Sequence, residues 1–80
     1  MRPGLIPGVN VDRVDVAAGI DAGTELGFDS ATDEMVVQYA LLRWARGEEA
    51  GAEATFLRYF PRDLTAWRRI LATAIAAAQD

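Results

Sequence analysis

Eighty residues allow one domain, near the size at which a single core is only marginally self-sufficient. With neither cysteine nor histidine, the chain lacks a disulfide framework, a thiolate nucleophile, the commonest general base and the commonest transition-metal ligand. A net charge of −4 makes it a poor holder of a phosphate backbone, and the absence of lysine excludes a GxxxxGK[ST] phosphate loop.

The charge is unevenly placed. Residues 1–34 carry seven acids against Arg2 and Arg13, a balance of −5; residues 35–80 carry six arginines against five acids, a balance of +1. The opening MRPGLIPGVN lacks the apolar core of a signal peptide, and the longest apolar run, residues 74–78, is far short of the roughly 20 residues of a membrane span. The expected address is the cytoplasm or the inside of an assembled particle, with no membrane partner.

In chain order, Pro3-Gly4 and Pro7-Gly8 each suit the centre of a type II turn, and neither pair continues a helix. Valines at 9, 11, 14 and 16 alternate like a strand, with a change of face at Asp12-Arg13 that fits a bulge or bend. Its pairing partner is open: the weak strand candidate Glu25–Phe28, a second subunit, or another protein. Gly19, Gly23 and Gly27 come next at intervals of four, interleaved with Asp21, Glu25 and Asp29. That spacing belongs to apolar membrane helices, but each interior glycine costs a helix about 1 kcal/mol relative to alanine, so residues 17–29 read as a linker with turns, the lesser alternative being a short helix from Val14 to Gly19. Leu26 and Phe28 read as anchors tying the linker to the helical part. Residues 1–29 are thus expected to form an extended, acidic arm.

Residues 30–80 read as a three-helix domain, so the fold class is all-α. Ser30 fits an N-cap, with Thr32 the competing cap; Asp33 and Glu34 complement the helix dipole at the start and Arg43 and Arg46 at the end, and Gly47 is a stop. The first helix is placed at about 31–46. A second, about 49–60, is weakened by Gly51 and ended by Pro61. Asp63 caps a third, about 64–79, where Leu64, Trp67, Ile70, Leu71, Ala74, Ile75 and Ala78 keep the helical apolar period throughout. Short connections favour antiparallel neighbours, with a core of Val37, Leu41 and Trp44 against Phe56, Phe60, Trp67, Ile70 and Leu71.

Candidate chemistry is sparse. Ser30 has no base to activate it. Asp12/Asp15 and Asp21/Glu25 are carboxylate pairs in glycine-rich sequence with nothing nearby to tune them for acid–base work. Neither Asn10–Asp21 nor Asp21–Asp33 has EF-hand spacing. No cofactor, metal or small-molecule substrate is expected. Arg58, Arg62, Arg68 and Arg69 gather around a helical turn beside Trp67; a solvated face is the plain reading, an acidic protein surface the next, and nucleic acid the least favoured.

The first helix carries more apolar surface than its neighbours can cover. Val36, Val37, Ala40, Leu41 and Trp44 take one broad face, and Met35, Tyr39 and Leu42 a second. Either the linker folds back over that second face or another protein does. The sequence therefore points to a non-enzymatic interaction module, a small subunit or accessory component of a larger assembly such as a phage or virion structure. Its expected partner is another protein or a copy of itself, and its expected contacts are Met35, Tyr39, Leu42, Val9, Val11, Arg68 and Arg69. The alternative is a small acidic inhibitor, for example an anti-defence protein, blocking its target through the acids at 21, 25 and 29.

Overall fold

The computed structural model describes residues 10–11 and 13–79. The fold is all-α apart from one short hairpin. Strands β1 (Asn10–Val11) and β2 (Val14–Asp15) are followed by helices α1 (Val16–Glu25), α2 (Ala31–Ala45), α3 (Glu49–Tyr59) and α4 (Leu64–Ala78). Where the sequence changes face the chain forms a hairpin: Asn10 pairs with Asp15 and Val11 with Val14, antiparallel. The strand finds its partner within itself, and Glu25–Phe28 is the end of a helix and its turn.

Helix α1 is the largest departure from the sequence expectation of a linker over residues 17–29 and three helices in all. Among the described residues there are four, because residues 16–25 are helical and packed into the core. Asp15, one of the carboxylates considered for acid–base work, is the N-cap, its Oδ1 accepting a 3.2 Å hydrogen bond from the Ala18 N–H. Gly19 and Gly23, one turn apart, are buried on the side facing α2 and α4. A Cβ on Gly19 would collide with the Leu41 side chain and lie 3.1 Å from the Ala74 Cβ; one on Gly23 would meet Ile70 and Val37 at 3.5 Å. The glycines that weaken α1 by propensity are what let it approach its neighbours, and close packing outweighs the propensity cost.

Gly27 and Gly47 do a different job. Both have positive φ, 102° and 91°, and both end a helix in a Schellman motif. The N–H groups of Phe28 and Gly27 donate to the carbonyls of Gly23 and Thr24 at 2.9 and 3.1 Å, and those of Glu48 and Gly47 to Arg43 and Trp44 at 3.1 and 2.9 Å. The first motif delivers Phe28 into an aromatic cluster with Phe56, Phe60 and Trp67, whose neighbouring ring centroids are 4.8–5.5 Å apart.

The remaining punctuation is mixed. Ser30 Oγ accepts from the Asp33 N–H at 3.0 Å, as its cap position requires. Asp63 occupies the cap position of α4 but makes no side-chain cap bond; its ψ of 37° is outside the extended region that aims a capping oxygen at the first turn. In the core, Val14, Val37, Ala40, Leu41, Ala52, Phe56, Ile70 and Ala74 are fully enclosed, with Trp67 nearly so, while Trp44, Phe60 and Leu71 are only partly covered. Helix α2 lies between α1 and α3, α4 closes the bundle chiefly on α1, and β2 lies against α4.

Candidate apolar docking face

Two sides of α2 meet different fates. Val36, Val37, Ala40 and Leu41 are buried against α1 and α3. On the opposite side Met35 and Tyr39 remain 68% and 53% exposed, and Tyr59 of α3 joins them at 58%. Among the described residues these three are the large hydrophobic residues most open to water, and together with Thr32 and Val36 they line an open groove. Leu42, assigned to the same face, is half-buried and packs partly on the core, and it does not line the groove. Leu26 and Phe28 do fold back, but onto the core rather than over Met35 and Tyr39.

Tyr59 is missing from the sequence-derived contacts because it falls in one apolar stripe with Phe56 and Phe60. At about 100° per residue Tyr59 lies only about 60° from Phe56, so helical phase alone leaves it on the core stripe.

Beyond the groove, two arginines tie together the turn between α2 and α3. Arg43 of α2 donates from Nε to Glu48 Oε1 and from Nη1 to Thr55 Oγ1, both at 2.9 Å, and Thr55 in turn donates to the Gly51 carbonyl at 2.8 Å. A Cβ on Gly51 would sit 2.6 Å from Arg43 Nη2, so the glycine that weakens α3 makes room for this guanidinium. On the other side of the turn Arg13 donates from Nη1 to the Trp44 carbonyl at 3.1 Å, pairs with Glu49, and lies with its Cζ 4.0 Å over the Trp44 ring. That contact pins the hairpin to the α2–α3 turn.

The other expected contacts scatter. Arg68 and Arg69 are exposed on α4; Arg69 borders a shallow, polar groove with Ala22, Glu25, Leu26 and Thr73, separate from the Met35 face. Val11 is in the hairpin, paired with Val14, and Val9 lies outside the described residues. Arg58 and Arg62 are exposed, but Trp67 beside them in sequence is 1% exposed and cannot stack on a base or a partner ring. Glu48 and Glu49 are not partners of that arginine group; Arg43 and Arg13 hold them instead.

Among the described residues no group of three or more acids is placed to hold a metal ion, and no helix is long and apolar enough to cross a membrane. Comparison with protein-family models, with curated proteins and with solved structures found no match to this chain.

Proposed function

We propose that this small helical protein is a non-enzymatic interaction module, an accessory subunit that docks another protein through the outer face of α2. The observation that carries the reading is the exposure of Met35, Tyr39 and Tyr59 side by side on a bundle whose inner face is closely packed. Tyrosine and methionine are residues that protein contacts favour: a large amphipathic ring held by few torsions, and a polarizable side chain that adapts to its neighbour.

The test compares surface variants of the purified chain against whatever protein co-purifies with it from its source. Tyr39→Glu is expected to release that protein, while reversal of Asp21, Glu25 and Asp29 to arginine leaves it bound. The opposite pattern would transfer the function to the acidic side and make the protein a charge-based inhibitor.

A further inference from the structure

We draw no further inference here: the strongest candidate, the open groove between α2 and α3 lined by Met35, Tyr39 and Tyr59, belongs to the docking face already described, and nothing among the described residues shows what covers it.

Discussion

The two sides of α2 differ in what glycine does for them. On the inner side Gly19 and Gly23 let α1 approach until Val37 and Leu41 have no exposure left. On the outer side no comparable element lies over Met35 and Tyr39 among the described residues, and the tyrosine of α3 stands beside them instead of over them. One helix therefore serves as core and as surface. The difference teaches that an apolar helix is not by itself a sign of a large core; what counts is which neighbour has small enough residues to reach it.

The comparison is broken most severely from within. Phe56→Ala removes the ring that links Phe28, Phe60 and Trp67, and should cost about 3–5 kcal/mol in urea unfolding, enough to leave a domain of this size partly unfolded. Next comes Gly19→Val. Its side chain has no room beside Leu41 and Ala74, so overpacking should cost about 1–3 kcal/mol and reduce the protection of α1 amides from hydrogen exchange. Arg13→Ala should cost about 1 kcal/mol. Most of that loss should persist at high salt, since the carbonyl and ring contacts to Trp44 remain when the exposed pair with Glu49 is screened. Gly23→Ala sharpens the comparison by changing sign: its Cβ meets only ordinary contacts at 3.5 Å, so the helix-propensity gain of up to about 1 kcal/mol should survive as a higher melting temperature.

Much of the bundle is legible in the sequence. Ser30, Gly47, Pro61 and the apolar period of residues 64–78 mark three helices by local chemistry that needs no tertiary information. Helix α1 is not, because its evidence is of the opposite kind. Judged locally, Gly19 and Gly23 argue against a helix; only the presence of Leu41, Ala74, Ile70 and Val37 alongside makes them favourable. Asp15 ahead of Val16-Ala17-Ala18 is a readable cap, outweighed by that glycine count. The hairpin is hidden for want of an Asn-Gly or Asp-Gly turn, Asp12-Arg13 carrying no such signature. Of the candidate face, Met35 and Tyr39 are readable from helical phase, whereas Tyr59 depends on knowing that α3 presents its side to α2.

The central claim is that the outer face of α2 is built for contact and not for the chain's own stability. It is tested most directly by the unfolding free energy of the Met35→Gln/Tyr39→Gln double variant, measured in dilute solution beside the wild type. The account predicts agreement within about 0.5 kcal/mol, as for ordinary surface substitutions. A loss of about 2 kcal/mol or more, the scale of a buried side chain, would mean that the chain itself covers this face and would contradict the account.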